Sequence, residues 1–378
     1  MILTFIIPIA ILCFVWIRNY GSFLVDNLTA SISFADDHIY AGEETVLSEV
    51  IENRKRFPVP VLIIRFRIPR GIKFIDSENT SVSDYTYKKD IFSLSGMELI
   101  RRNHRVKGVK RGFYKASELE SRLPSLLHFY TYGMNFGKED EESLGEIYVY
   151  AARTDVSDLM RPIASILGDR LSAGSIYEDP FAFASVREYT TADPMKNINW
   201  KASAKVGSLM VNTFFQADSL QAEVYLDVND FDYTNEEDLI EESVSIAATI
   251  IEKLTKSGLK IFLAVNAGEK TPGVTVFGGP SNDDKLKRIE EFLTSDFKTM
   301  EHCEYLQMIE TAERRKTFDP ELKDTGAKDR TVLKLYISKN IREAGELVLP
   351  AGSADEGRIC VAPYRHGSEI GRKIHILT

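Results

Sequence analysis

The spacing of apolar residues changes near residue 220, and that change limits what this chain can fold into. Before it, apolar positions alternate over short runs, at residues 45–52, 61–68, 91–94, 97–106, 112–120 and 146–150. Alternation puts every second side chain on one face of a strand. Asn53, Pro60 and Pro69 punctuate the runs. Short, regularly spaced strands of this kind predict an antiparallel β-sandwich over residues 28–150. No helical stripe occurs there.

After residue 220 the spacing lengthens. Residues 222–228 read as a buried strand. Leu239, Ile240, Val244, Ile246, Ala247, Ile250, Ile251 and Leu254 then fall at helical intervals, with Asn235 as the expected N-cap and Gly258 as the stop. Residues 259–265 form the next apolar run. Strand, helix, strand in that order predicts a parallel unit with a right-handed crossover. Residues 274–277 add a strand, and residues 283–297 and 304–315 read as helices. Residues 331–337, 358–363 and 373–377 read as strands. The expectation for residues 221–378 is an open α/β sheet with helices on its faces. Residues 151–220 connect the two regions.

Residues 2–17 carry no charge. As a helix they span about 24 Å, a little less than the ~30 Å of a bilayer's hydrocarbon. Trp16, Tyr20 and Phe23 flank the run as interfacial aromatics. A signal peptide needs a basic start and a small-residue cleavage site, and neither is present. The expectation is a transmembrane helix over residues 1–20, in contact with membrane lipid. Arg18 on its C-terminal side points the remaining chain toward the cytoplasm.

Composition excludes some functions. The chain has 378 residues, 44 % hydrophobic and 27 % charged, which argues against large-scale disorder. A formal charge of −9 argues against a generic nucleic-acid binder. Cys13, Cys303 and Cys360 lie far apart, without metal-ligand spacing. None of the six histidines falls in H-E-x-x-H. Hydrolase, P-loop and dinucleotide motifs are absent. The reading is therefore of a non-enzyme without a cofactor.

Three places hold candidate chemistry. Asp227 ends the first α/β strand, where open sheets place ligands. Followed by Asn229, it forms a degenerate version of the Asp-x-Ser-x-Ser pattern that binds a divalent metal. The other reading has both residues capping a turn. Residues 101–111 hold six Lys or Arg and no acid. They suit an anionic lipid surface or an acidic partner, or else the solvated face of two strands. The third place is residues 187–204, a polar segment that includes Trp200. Asp193-Pro194 opens a short helix there, and Trp200 is expected to pack that turn on a sheet.

This third segment resembles the signature of the bacterial domain of unknown function 58 family, which runs roughly R-x-Y-x-x-G-D-x-x-R-x-I-x-W-x-x-S-A. The matching residues are Arg187, Tyr189, Asp193, Ile198, Trp200, Ser203 and Ala204, with Lys201 also as expected. Ala192 replaces the usual glycine and Asn197 stands near the usual arginine. Lys110 to Tyr114 and Ile147 to Tyr150 are similar to strands of the family's β domain.

The resemblance implies an N-terminal membrane segment, often one of two, then a β domain, then a von Willebrand A-like domain. It also implies an adaptor or assembly role with a MoxR-type AAA+ ATPase and other von Willebrand A proteins. One alternative is a cell-envelope enzyme built on Asp193 to Lys201, with Arg187 facing inward. Another is a metal-dependent von Willebrand A-type binding module centred on Asp227.

Overall fold

The computed structural model describes residues 26–76, 80–82, 85–124, 131–136, 144–171, 183–190, 195, 198–214, 220–229, 236–270, 273–278, 283–318, 330–339, 357–366 and 369–377. It divides into two compact units. One is Met1–Ala152 with Glu291–Ser295, and the other is Arg153–Glu290 with Asp296–Thr378.

The first unit is built from β1 (Leu28–Phe34), β2 (His38–Tyr40), β3 (Glu44–Asn53), β4 (Val59–Pro69), β5 (Ile72–Phe74), β6 (Thr80–Val82), β7 (Tyr85–Leu94), β8 (Leu99–Gly108), β9 (Gly112–Lys115), β10 (Ser117–Pro124), β11 (Thr131–Asn135) and β12 (Glu146–Tyr150). These form a four-stranded sheet, β1-β3-β8-β5, a five-stranded sheet, β11-β10-β4-β7-β6, and a three-stranded sheet, β2-β12-β9. Leu47 and Ile51 of β3 share one core with Leu62, Ile64 and Phe66 of β4 and with Val149 of β12. Alternation along β3, β4 and β7 sends every second residue into that core. At the sheet ends, the buried Asn53 donates its amide to the carbonyls of Phe57 (2.9 Å) and Ser95 (2.7 Å). One side chain thereby satisfies two loop carbonyls that would otherwise be buried unpaired.

The second unit contains α1 (Ser157–Leu171), β13 (Phe183–Glu188), α2 (Trp200–Val206), β14 (Met210–Phe214), β15 (Leu220–Leu226), α3 (Glu237–Lys256), β16 (Lys260–Val265), β17 (Ala267–Gly268), β18 (Thr275–Phe277), most of α4 (Asp283–Leu293), β19 (Glu301–His302), α5 (Tyr305–Phe318), β20 (Arg330–Ile337), β21 (Gly357–His366) and β22 (Glu369–Leu377). Its main sheet has the order β18-β16-β15-β20-β21-β22. Strands β16, β15, β20 and β21 run parallel. β15 and β16 are buried along nearly their whole length, as expected for strands covered on both faces. On one face Tyr225, Phe262 and Tyr336 pack with Met308, Ile309 and Ala312 of α5. Helix α3 packs on β15, β16 and β21, and α1 packs on β20.

Several expectations are corrected here. The sheet of the second unit is mixed, because β18 joins β16 antiparallel and β22 folds back antiparallel on β21. The described residues are 51 % strand and 26 % helix in several sheets, so a von Willebrand A-like open α/β sheet does not describe them. The period of a strand reports which faces are buried and says nothing about the direction of its neighbours, which is why the sequence pattern misled. The proposed membrane span lies at residues 1–20, outside the described residues. Among the described residues no helix is long and apolar enough to cross a membrane. The longest, α3, carries Glu237, Asp238, Lys253 and Lys256. A single-pass membrane location, and the cytoplasmic orientation that followed from it, are therefore not supported by the described residues.

Candidate functional site

The parallel strands of the second unit place three polar residues together. From β15 the chain passes to β16 on one side and later returns to β20 on the other. The strand order thus switches at β15, the position where α/β sheets tend to bind ligands. Asp227 follows β15, Asn266 follows β16 and Ser338 follows β20. Oδ1 of Asp227 accepts from Nδ2 of Asn266 (2.6 Å) and from the Asn229 backbone N–H (3.1 Å). Oδ2 accepts from the Ser338 hydroxyl at 2.5 Å. Oδ1 of Asn266 accepts from the Val228 N–H at 2.8 Å.

Asp227 is only 3 % exposed, and donors from two neighbouring strand ends and its own turn surround it. Burial, with the Asp227 charge adding to it, pushes the Cys303 thiol up to about 11. The same two causes raise the Tyr305 hydroxyl, which donates to the Tyr225 carbonyl at 2.9 Å. Both carboxylate oxygens already hold protein donors. The arrangement stitches three strand ends together. Asn229, paired with Asp227 as a candidate metal ligand, meets it through its backbone N–H.

The signature segment lies between β13 and β14, which pair as an antiparallel ribbon. Arg187 is exposed and donates to the Glu188 carbonyl at 3.1 Å. The Tyr189 N–H reaches the Leu209 carbonyl at 2.9 Å. Asp193 lies outside the described residues. Asn199 caps α2 by accepting from the Ala202 N–H (2.9 Å) and donates its amide to Oδ1 of Asn212 (2.7 Å). Ser203 donates to the Asn199 carbonyl and accepts from the Met210 N–H, both at 2.8 Å.

This closed set of bonds holds α2 against β14. The helix buries no residue. Trp200 at its start is 66 % exposed, so the expectation that it packs the turn on a sheet is corrected. Met195, Val206 and Leu209 are exposed in the same segment. Asn199 and Asn212 were missed from sequence, although an Asn directly before a short helix is a capping signal.

In the first unit, Arg101, Arg105 and Lys107 of β8 face solvent, while Arg102 and His104 alternate inward. A groove of about 880 Å³ is lined by Arg65, Arg67, Lys89, Arg102 and Arg122 together with Glu118 and Glu120. Arg67 pairs with Glu118 at 2.9 Å and stacks over the Tyr85 ring at 4.4 Å. Exposed Tyr87 and Ile91 add apolar surface to it. The basic surface therefore includes residues of β4, β7 and β10 that lie outside the basic run at 101–111.

No family model matches the chain and no curated protein matches it. Among solved structures, the CARDB domain of a Pyrococcus furiosus protein, in complex with di-metal ions, is 15 % identical. It overlaps 32 % of this chain and 89 % of its own, with a TM-score of 0.21. A non-cellulosomal cohesin from Archaeoglobus fulgidus is 11 % identical over 35 % of this chain and 96 % of its own, with a TM-score of 0.20. At these scores the likeness fixes neither fold nor function.

Proposed function

We propose that this chain is a non-enzymatic interaction protein of the domain of unknown function 58 type, an adaptor for a partner protein. The observation that carries this reading is the exposed Trp200, presented on a helix whose polar groups are already satisfied beneath it. Tryptophan is the side chain most enriched among residues that dominate interface energetics. A rigid support lowers the ordering cost of binding through it. The partner implied by the signature is a MoxR-type AAA+ ATPase. An enzyme on the same segment needs Arg187 and Lys201 facing inward, whereas both are exposed.

Affinity capture from cell extract with the full chain and with Trp200→Ala tests the proposal. Stoichiometric capture of the ATPase by the wild type, lost in the variant, is expected. Capture of no protein, or equal capture by both, sinks it.

The groove of the first unit favours a second reading of the partner's chemistry, an acidic polypeptide segment. Its cations outnumber its carboxylates, so association with such a segment weakens as salt screens it. Anisotropy titration of labelled poly-glutamate is expected to show salt-sensitive binding that Arg65→Glu with Arg122→Glu abolishes. Salt-independent or unchanged binding removes this reading.

A further inference from the structure

The interior of the first unit holds a charged cluster that neither the groove nor the signature uses. Glu49 on β3, His104 on β8 and Asp90 on β7 all point inward. They come from both principal sheets and are 1 %, 8 % and 2 % exposed. Nε2 of His104 lies 3.3 Å from Oε2 of Glu49 and 3.5 Å from Oδ2 of Asp90. Donor atoms of all three lie within 4.8 Å of one another. Arg102 takes the other Asp90 oxygen, Oδ1, at 2.9 Å. Oε1 of Glu49 and Oδ2 of Asp90 are buried without a hydrogen-bond partner.

Leaving carboxyl oxygens unpaired in a buried site is costly, and burial raises the Glu49 carboxyl from its ordinary value. Apolar side chains would fill the same volume without that cost. Phe74 packs its ring edge-on to His104 with Lys88 over its face, and Phe92 lies under Arg102, so aromatic rings line the surroundings. Oε2 of Glu49 and the unpartnered Oδ2 of Asp90 converge on one imidazole nitrogen, and two buried carboxylates facing a single imidazole match the demand of a cation better than that of a hydrogen-bond network.

We propose that Glu49, Asp90 and His104 form a binding site for a divalent transition-metal ion, with Zn²⁺ the best fit. Around a tetrahedral ion with bonds of about 2.0–2.1 Å, adjacent donors lie about 3.3–3.4 Å apart. The two separations measured from His104 fall at that value or close to it. One imidazole and two carboxylates form a mixed N/O donor set that suits zinc better than calcium or magnesium. The ion compensates the two buried carboxyl groups, takes up the unpartnered Oδ2 of Asp90 and ties β3, β7 and β8 together across the core.

The full chain, stripped with a chelator and confirmed folded by circular dichroism, is titrated calorimetrically with Zn²⁺. One equivalent per chain and a raised thermal midpoint are expected. X-ray absorption at the zinc edge is expected to show one imidazole with oxygen donors and no sulfur. His104→Gln and Asp90→Asn are each expected to weaken Zn²⁺ by more than the roughly 10–100-fold typical of an outer-shell partner. A folded wild type that takes up no Zn²⁺ overturns the proposal. So does a first shell containing sulfur or more than one imidazole, or full affinity in a folded His104→Gln. The absorption measurement uses the wild type, so it decides the matter even if the variants do not fold.

Discussion

Burial fixes the protonation of individual residues in the second unit. Cys303 and Cys360 are each raised to about 11, Tyr336 to about 12, and Tyr225 and Tyr305 upward as well, with desolvation the first cause in every case. The folded state holds these protons more tightly than the unfolded chain. Their contribution to stability is therefore complete below the ordinary thiol value of about 9 and is lost as pH rises through the folded values. Urea midpoints are expected to hold steady up to about pH 9 and fall toward pH 11. Alkylation mapped by mass spectrometry at pH 8 is expected to leave both thiols untouched in the native protein. Asp227→Ala leaves Asn266 and Ser338 without their shared acceptor and is expected to cost about 1–3 kcal/mol in chemical denaturation. Asp227→Asn, which keeps an acceptor oxygen, costs less.

At the scale of elements, β15 carries Glu223 into the sheet under α5. It meets Lys316 of α5, Lys334 of β20 at 3.6 Å and the Tyr225 hydroxyl at 2.9 Å. Changing both lysines to methionine strands a buried carboxylate and is expected to cost about 3–5 kcal/mol by urea unfolding. Adding Glu223→Gln to that background recovers part of the loss. The strand–helix–strand run from β15 through α3 to β16 was legible because its apolar residues follow one period each. Its N-cap was not, since Glu236 takes that place without a side-chain hydrogen bond, and Asn235 lies outside the described residues. Helix α1 was missed because Pro162 interrupts its pattern. The first half of β7 was missed because Lys88 and Asp90 occupy inward positions that a strand pattern assigns to apolar residues. The same two residues hid the Glu49–Asp90–His104 cluster, whose members lie far apart in sequence and meet only across two sheets. The stitch at Asp227 was half legible. Its place at a strand end followed from the pattern, while Asn266 and Ser338 are ordinary polar residues until the strand order brings them together.

On the scale of the whole molecule, two compact units each have their own core. Ile64 is fully buried in the first, and Ile64→Ala is expected to cost about 2–5 kcal/mol. Hydrogen exchange followed by mass spectrometry is expected to show lost protection in β3, β4 and β7, with β15, β16 and β20 unchanged. Equal loss in both units contradicts two separate cores. The hydrogen bond from Ser338 to Asp227 joins residues 111 positions apart, and this sets an order of events during folding. Asp227 and Asn266 can meet once β15, α3 and β16 have formed, from a short stretch of chain. Ser338 can join only after β20 has found the opposite side of β15, which requires closing a much longer loop. On this argument the bond is expected to form late, on the downhill side of the folding barrier. Removing the Ser338 hydroxyl is expected to leave the refolding rate nearly unchanged and to speed unfolding. The bond that closes the three strand ends thus sets how long the finished sheet stays shut, and has little effect on how quickly it is made.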